Sequence, residues 1–353
     1  MVRSAQKYGI IAAIVIAAIA VAFIVAFTAS ANLPRNPAGP KSTLRIAVVT
    51  DALFSDEGWG ESSLNAAKFI ESKYGFEVAT EDNVPIADIE STLREYAQAG
   101  YDLIIAHGVQ WGDPALAVGE QHPDVKIVVF TGLVRSENVA SVFPQQQQGS
   151  FLLGALAGMM TKTDVIGYVG GEEYPNVVNI FEGYKQGAKA VNPEVEVIGT
   201  YLNDWDNPAK GKEAATSIIR QKVDVIFHVA DSSGHGVIES ARENGIYALG
   251  AVQDQNSLAP NTVLSSFVLD VDKAYSQAVN ATLRGTIEGD IRKPGIEVEK
   301  GATGDGIVYL ASFHDLDDGV PESVKSKLQE LTNDLLGGKL VVPERLEETL
   351  IAE

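Results

Sequence analysis

The chain has 353 residues, of which 45% are hydrophobic and 7% aromatic, enough for two domains of ordinary size with a substantial core. Its formal net charge is −20, from 47 acidic and 27 basic residues, which argues against binding to nucleic acid or to anionic lipid surfaces. There is no cysteine, so disulfides, thiolate metal sites, cysteine catalysis and lipid attachment at a lipobox cysteine are excluded.

The N-terminal segment, residues 1–31, predicts a membrane anchor or a signal peptide. Residues 9–27 are an uncharged apolar run after Arg3 and Lys7, and at about 1.5 Å per residue a helix of this length can just span a bilayer core. The basic flank would stay in the cytoplasm and send the rest of the chain outside. Residues 29–31 also resemble a cleavage site, but the run is longer than the apolar part of a usual signal peptide, so we favour a retained transmembrane helix.

After a stiff Pro-rich linker at 32–43, strands and helices are expected to alternate. Short apolar, β-branched runs predict strands at 46–49, 76–80, 103–106, 126–130, 139–143, 166–169, 195–201, 225–229, 247–252, 263–268 and 307–310. Helical periodicity predicts helices that include 86–99, 114–121, 149–162, 177–191, 209–221, 271–283 and 322–336. Repeated units of this kind are typical of an α/β protein with a doubly wound parallel sheet.

These units are too many for one sheet, and they predict two Rossmann-like lobes joined by a hinge. Units of similar length lie on either side of 143–149, where the polar run 145–148 indicates a hinge or a solvated loop. We assign 44–145 to the first lobe, with about 255–290 returning to it, and 146–254 to the second lobe, with part of 291–353.

The loop after the first strand is the first candidate binding site. Asp51, Asp56 and Trp59 lie in this loop, and ligands of open α/β sheets bind at the carboxyl edge of the strands. Carboxylates beside a large aromatic ring suit a flat, polar, ring-shaped ligand. The structural alternative is that Trp59 only packs the first helix against its neighbour.

The remaining motifs argue against an enzyme. No Gly-x-Gly-x-x-Gly follows the strand at 166–169, and the sequence contains no nucleophile elbow, so a bound dinucleotide and serine-type catalysis are not expected. The five histidines show no metal-ligand spacing. His107 and His228 each end a predicted strand, so either they line a cleft or they are structural.

Several stretches together resemble the basic membrane protein family of ABC-transporter substrate-binding proteins, which includes purine nucleoside receptors. In chain order they are residues 49–51 (VTD), 55–59 (SDEGW), 166–171 (IGYVGG), 181–187 (FEGYKQG), 206–213 (DNPAKGKE), 234–236 (GHG) and 254–255 (DQ). The resemblance implies a type I periplasmic-binding-protein fold and an extracytoplasmic protein that delivers a purine base or nucleoside to an ABC permease. It implies no cofactor, no metal and no catalysis, and we expect a monomer that does not bind nucleic acid.

The resemblance also implies roles for individual residues. Trp59 stands where family members stack an aromatic ring on the purine, with Asp56 beside it, and Phe181 from the second lobe is expected to close on the other side. Trp205 is similar to an aromatic residue that some members carry. With the ends of the predicted strands included, the expected ligand-binding residues are Asp51, Asp56, Trp59, Gly108, Phe181, Trp205, Asp231, Gln253 and Asp254.

Departures from the family pattern bear on the ligand. Val252 replaces the carboxylate with which nucleoside-binding members contact ribose, Leu269 replaces a lysine after the next strand, and Gly60 replaces an asparagine. A buried hydroxyl that loses its partner costs on the order of 1–3 kcal/mol. The sequence therefore favours a purine base without its sugar. The alternative function is a ligand-binding sensor that signals to a membrane partner, since such a protein would keep the same cleft.

Overall fold

The computed structural model describes residues 43–287 and 289–344, and the predicted anchor at 9–27 lies outside them. Within these residues no helix is both long and apolar enough to cross a bilayer. The strands are β1 Arg45–Thr50, β2 Glu77–Glu81, β3 Leu103–His107, β4 Lys126–Phe130, β5 Val139–Val142, β6 Val165–Gly170, β7 Glu196–Tyr201, β8 Val225–Val229, β9 Tyr247–Val252, β10 Val263–Leu269, β11 Ile291–Arg292 and β12 Val308–Leu310. The α-helices are α1 Trp59–Tyr74, α2 Ile89–Gln98, α3 Gly112–Gln121, α4 Gln146–Met160, α5 Pro175–Val191, α6 Pro208–Ile219, α7 Asp231–Asn244, α8 Val271–Arg284 and α9 Glu322–Leu336.

The described strands form two sheets of matching topology. The first has the order β11-β5-β4-β3-β1-β2 and is parallel throughout. The second has the order β12-β10-β9-β8-β6-β7 and is parallel except for the antiparallel pair β10 and β12. In each sheet the order reverses at an interior strand, β1 or β6, and such a reversal opens a crevice at the carboxyl ends of the strands. The predicted α/β fold with two parallel-rich sheets is confirmed.

Helices cover both faces of each sheet, which explains the continuous apolar strands. Ile46 to Val49 in β1 are fully buried, as the strands of a doubly covered parallel sheet must be. In the second lobe α4 is buried nearly all round and packs closely on α5. A Cβ added at Gly154 would lie 2.0 Å from the carbonyl oxygen of Tyr184, so only glycine permits this approach of the two helices.

The prediction that 255–290 returns to the first lobe is wrong for the strand in this segment, β10. All seven residues of β10 are buried, and β10 pairs with β9 in the second sheet. Only the helix that follows, α8, packs against α1 in the first lobe, and β11 then joins the first sheet. Periodicity identifies a buried strand, but it carries no information about which of two similar sheets the strand joins.

The glutamine run lies where the chain passes from the first lobe to the second. The backbone N–H of Gln145 donates to the carbonyl of Pro294 at 2.9 Å, and its side chain donates to the carbonyl of Lys293 at 3.1 Å. The side-chain oxygen of Gln148 accepts a hydrogen bond from the backbone N–H of Ile296 at 2.8 Å. The run therefore ties two crossing segments together side by side.

Candidate ligand-binding site

A cleft of about 750 Å³, part of it open to solvent, lies at the carboxyl edges of the two sheets. The first lobe contributes Asp51, Ala52, Asp56, Trp59, Gly108, Val109, Gln110 and Thr131. The second lobe contributes Gln146, Tyr174, Asn176, Val177, Ile180, Trp205, Asp206, Val229, Asp231 and Val252. Both lobes are thus needed to form this cleft.

Six of the nine residues expected from the sequence line this cleft. They come from loops far apart in the chain, and the structure brings them together at one place: Asp51, Asp56, Trp59, Gly108, Trp205 and Asp231. Their contact with a ligand stays a prediction.

Phe181 is not among the residues that line the cleft, and its predicted contact with a ligand stays a prediction. Its ring stacks on Tyr168 with 4.3 Å between ring centroids and packs edge-on against Tyr201. The helix α5 turns Val177 and Ile180 towards the cleft. Because successive residues of a helix are about 100° apart, the residue after Ile180 points to another side.

Gln253 and Asp254 also lie outside the cleft lining, and their predicted contact with a ligand stays a prediction. Asp254 pairs with His314 at 2.7 Å on an exposed surface. Gln253 donates from its side-chain nitrogen to the carbonyl of Gly58 and to the carboxylate of Glu61, each at 3.0 Å. The strand-end rule placed both residues at the correct edge of the sheet, but it gave no direction for the side chains.

Sequence reasoning missed several polar residues of the cleft. Tyr174 and Asn176 lie just before and within the first turn of α5, and Asp206 follows the predicted Trp205. Gln110 lies in the loop after Gly108. Position next to a residue that was predicted could have indicated Gln110 and Asp206, whereas no sequence signal singled out Asn176.

Asp51 is held by its own lobe. Its carboxylate accepts hydrogen bonds from the side-chain amide of Gln110 and from the indole N–H of Trp111, the latter at 3.2 Å. Burial raises the pKa of Asp51 above its ordinary value, although these donors act in the opposite direction. The carboxylate and the Gln110 amide are thereby fixed in place before any ligand arrives.

Asp56 caps the N-terminus of α1. Its two oxygens accept from the backbone N–H groups of Gly58, Gly60 and Glu61 at 2.9, 2.6 and 3.0 Å, donors that a helix terminus otherwise leaves without partners. Burial raises the pKa of Asp56 despite these hydrogen bonds. A Cβ at Gly60 would lie 2.1 Å from the carbonyl oxygen of Leu53, so a larger residue such as asparagine does not fit this loop. The carboxylate that was expected to contact the ligand mainly shapes the loop.

The ring of Trp59 packs on two buried aromatic side chains. Its ring is 3.9 Å from that of His107 and 5.7 Å from that of Phe130, measured between centroids. Burial lowers the pKa of His107 to about 3, so this ring is neutral, and its Nδ1 lies 2.8 Å from the hydroxyl of Tyr275. Trp59 therefore both packs within the first lobe and lines the cleft. Its stacking on a ligand stays a prediction.

The second lobe presents less well satisfied polar groups. Burial, together with the carboxylates of Asp56, Asp206 and Asp51, raises the pKa of Asp231 well above its ordinary value. Asp231 lies against the loop of the first lobe that carries Trp59, since a Cβ added at Gly58 would lie 3.5 Å from its carboxylate oxygen. The buried side-chain oxygen of Asn176 has no hydrogen-bond partner within the described residues.

The electrostatics of the cleft are one-sided. Among the described residues that line it are four aspartates and no lysine, arginine or histidine. Burial first, and then Asp204, raises the pKa of Asp206 as well. Tyr174 and Trp205 lie 6.0 Å apart between ring centroids and add aromatic surface opposite Trp59. Such a lining favours a flat, neutral or cationic ligand that donates hydrogen bonds, and it disfavours phosphates and carboxylates.

Residues 43–302 match the protein family described as "ABC transporter substrate-binding protein PnrA-like". A purine-binding protein of Brucella abortus (strain 2308) is 30% identical over 288 residues, which cover 81% of this chain and 79% of that protein. Basic membrane protein A of Borreliella burgdorferi is 30% identical over 253 residues, 69% of this chain and 74% of that protein. A protein of Bacillus subtilis (strain 168) named transcriptional activator protein med is 29% identical over 246 residues, 69% of this chain and 77% of that protein.

Solved structures of low sequence identity share the fold. An ABC transporter solute-binding protein from Aeropyrum pernix K1 superimposes with a TM-score of 0.76 at 21% identity, over 85% of this chain and 94% of that one. One from Conexibacter woesei gives a TM-score of 0.69 at 21% identity, over 86% of this chain and 99% of that one.

Proposed function

Because the chain belongs to the family of PnrA-like ABC transporter substrate-binding proteins, we propose that it captures a purine base or nucleoside in the cleft and passes it to an ABC permease. The family and the structural neighbours are solute-binding proteins and not enzymes. We further propose that the predicted helix at 9–27 anchors the protein, with the lobes outside the cytoplasm.

The observation that carries this proposal is the combination of aromatic surface with hydrogen-bond acceptors and no cationic side chain in the described lining. A purine offers two flat faces to Trp59, Tyr174 and Trp205, and base–aromatic contact of this kind contributes about 1–3 kcal/mol per base. Its ring N–H and exocyclic amino groups match the acceptors Asp51 and Asp231. The name of the Brucella relative supports the same class of ligand.

Val252 supports a base without its sugar as the preferred ligand. This residue is apolar, almost fully buried and part of the cleft wall. A ribose hydroxyl placed against it would lose water without gaining a hydrogen bond, which is unfavourable. Leu269 adds nothing to this argument, because it lies outside the cleft lining and lines a neighbouring cavity with Val252.

Capture requires that the lobes close over the ligand. Closure by a hinge motion is driven only by contacts that form better in the closed arrangement than in the open one. The paired crossing segments at Gln145 to Gln148 and 293–296 are the natural place for this rotation, since the chain passes between the lobes there.

Calorimetric titration of adenine against adenosine, and of hypoxanthine against inosine, tests the proposal. We expect each base to bind more tightly than its nucleoside by a factor of about ten, the effect of leaving one or two hydroxyl groups unpaired. The variant Val252→Asp supplies an acceptor at the wall and should narrow this difference. Tighter binding of the nucleosides to the unmodified protein would contradict the base preference, and binding of none of the four would contradict a purine ligand.

A sensor that signals to a membrane partner is the second candidate, supported by the Bacillus relative that is named a transcriptional activator. Uptake of radiolabelled adenine by cells with and without the gene separates the two. Uptake that depends on the gene indicates transport, whereas unchanged uptake with altered transcription indicates sensing.

A further inference from the structure

We propose that Gln253 is a positioning residue that latches the second lobe onto the loop carrying Trp59, so that it strengthens ligand retention without touching the ligand. The inference rests on the proposed capture of a ligand between the lobes. It assigns to Gln253 a role different from the direct contact that the sequence indicated.

The backbone before Gln253 adopts a turn that a valine rarely forms. Val252 has φ +69°, and the N–H of Gln253 donates to the carbonyl of Ala251 at 2.8 Å. A hydrogen bond between residues two apart, with positive φ at the residue between them, defines the rare and strained form of the γ-turn. A β-branched residue at positive φ is a true outlier, and such strain persists only where the surrounding structure imposes it.

The turn sets the direction in which the side chain of Gln253 points. It ends β9 of the second lobe and points the next side chain across the boundary to the start of α1. The side-chain nitrogen of Gln253 donates to the carbonyl of Gly58 at 3.0 Å and to a carboxylate oxygen of Glu61 at 3.0 Å. The side-chain amide group of Gln253 in the second lobe therefore donates both of its protons to acceptors in the first lobe.

Other groups of the second lobe hold the same loop. The side-chain nitrogen of Gln255 donates to the carbonyl of Glu57 at 3.2 Å, and its oxygen accepts from the N–H of Ala251 at 3.1 Å, which ties it to β9. His235 lies 3.8 Å from the carboxylate of Glu57. Three side chains of the second lobe thus contact residues 57–61, immediately around the Trp59 that lines the cleft.

These contacts join residues of different lobes, so rotation of the lobes away from each other breaks them. Contacts that exist only in the closed arrangement shift the equilibrium towards closure and lower the rate of ligand release. Gln253 and Glu61 are not among the residues that line the cleft. Their effect on affinity must therefore act through the position of the lobes and of Trp59.

The first test compares Gln253→Ala with the control Gln221→Ala, which removes an exposed glutamine at the end of α6. Stopped-flow measurements with adenine should show release about tenfold faster for Gln253→Ala, the loss expected for two hydrogen bonds, with little change in the association rate. Gln221→Ala should match the unmodified protein. Equal release rates for all three proteins would overturn the latch.

A swap of donor and acceptor sharpens this test. Gln253→Glu places a second carboxylate beside Glu61 and should speed release more than the alanine variant does. The double variant Glu61→Gln with Gln253→Glu restores the donor–acceptor pair between these two side chains, although not the bond to the Gly58 carbonyl, and should recover part of the loss. Failure of the double variant to recover would overturn the assigned pairing.

A ligand-free measurement keeps the latch testable if adenine does not bind. Because the chain has no cysteine, the exposed positions Lys68→Cys on α1 and Glu213→Cys on α6 can carry spin labels without further changes. Electron–electron distance measurements should show a smaller share of short inter-lobe distances when Gln253→Ala is added. An unchanged distance distribution would overturn the latch, whereas a shifted distribution without adenine binding would reject only the proposed ligand.

Discussion

The two walls of the cleft differ in how their polar groups are satisfied. In the first lobe the carboxylates of Asp51 and Asp56 accept hydrogen bonds from groups of the same lobe, five in all. In the second lobe Asp231 lies against Gly58 of the first lobe, and the buried oxygen of Asn176 has no partner within the described residues. The two carboxylates of the first wall have hydrogen-bond partners within their own lobe. The buried oxygen of Asn176 in the second wall has none within the described residues.

This difference indicates how the protein divides the work of binding. A prearranged wall loses little conformational entropy when the ligand arrives, which favours affinity. A buried polar group without a partner costs on the order of 1–3 kcal/mol, and a ligand that supplies the partner recovers part of this cost. We therefore propose that the first lobe recognises the ligand and that the second lobe makes closure depend on it.

The largest expected effect comes from removing the cap of the first wall. Asp56→Ala leaves three backbone N–H groups at the start of α1, two of them in buried hydrogen bonds, without this acceptor and should lower the free energy of unfolding by about 3 kcal/mol. The matched variant in the second lobe is Asn207→Ala, which removes the single cap hydrogen bond at the exposed start of α6 and should cost about 1 kcal/mol. Urea titration of both variants measures the difference. Equal losses would mean that the first wall is no better satisfied than the second.

A smaller effect is expected from the aromatic surface of the first wall. Trp59→Ala should weaken binding of adenine by about 1–3 kcal/mol, the range for stacking of a base on an aromatic ring. Because Trp59 also packs on His107, some loss of ligand-free stability is expected as well. Calorimetry and thermal unfolding separate the two effects, with Trp205→Ala as the second-lobe counterpart. A large loss of stability with unchanged affinity would show that Trp59 only packs.

The smallest expected effect is the pH dependence of the second wall. Burial and neighbouring carboxylates raise the pKa of Asp231, so the folded state holds its proton more tightly than the unfolded state does. This contribution is present below the ordinary carboxyl pKa and is lost as the pH rises through the raised value. We expect Asp231→Asn to reduce the loss of ligand-free stability that accompanies a rise in pH above the ordinary carboxyl pKa. Urea titrations at several pH values measure how the free energy of unfolding changes with pH. Identical slopes for Asp231→Asn and the unmodified protein would contradict a raised pKa of Asp231.

The sequence by itself determined the alternation of strands and helices and the place of the first binding loop. Strand β1 and the loop carrying Asp51, Asp56 and Trp59 could be predicted, because a doubly covered strand is apolar throughout and ligands bind where such strands end. The resemblance to substrate-binding proteins indicated the two-lobed fold, because its motifs are spread along the chain through both lobes. The apolar Val252 at a wall position was also visible in the sequence alone.

Only the tertiary structure decided which side chains face the cleft and which lobe each late segment joins. Phe181 and Ile180 are neighbours in α5, yet the helical rotation between them places one ring outside the cleft and the other side chain in its wall. Gln253 points to the opposite lobe because of a positive φ at Val252, a conformation that valine's own preference does not indicate. The sheet joined by β10 and the burial of the Asn176 side-chain oxygen depend on contacts between segments far apart in the chain, and local periodicity carries no record of such contacts.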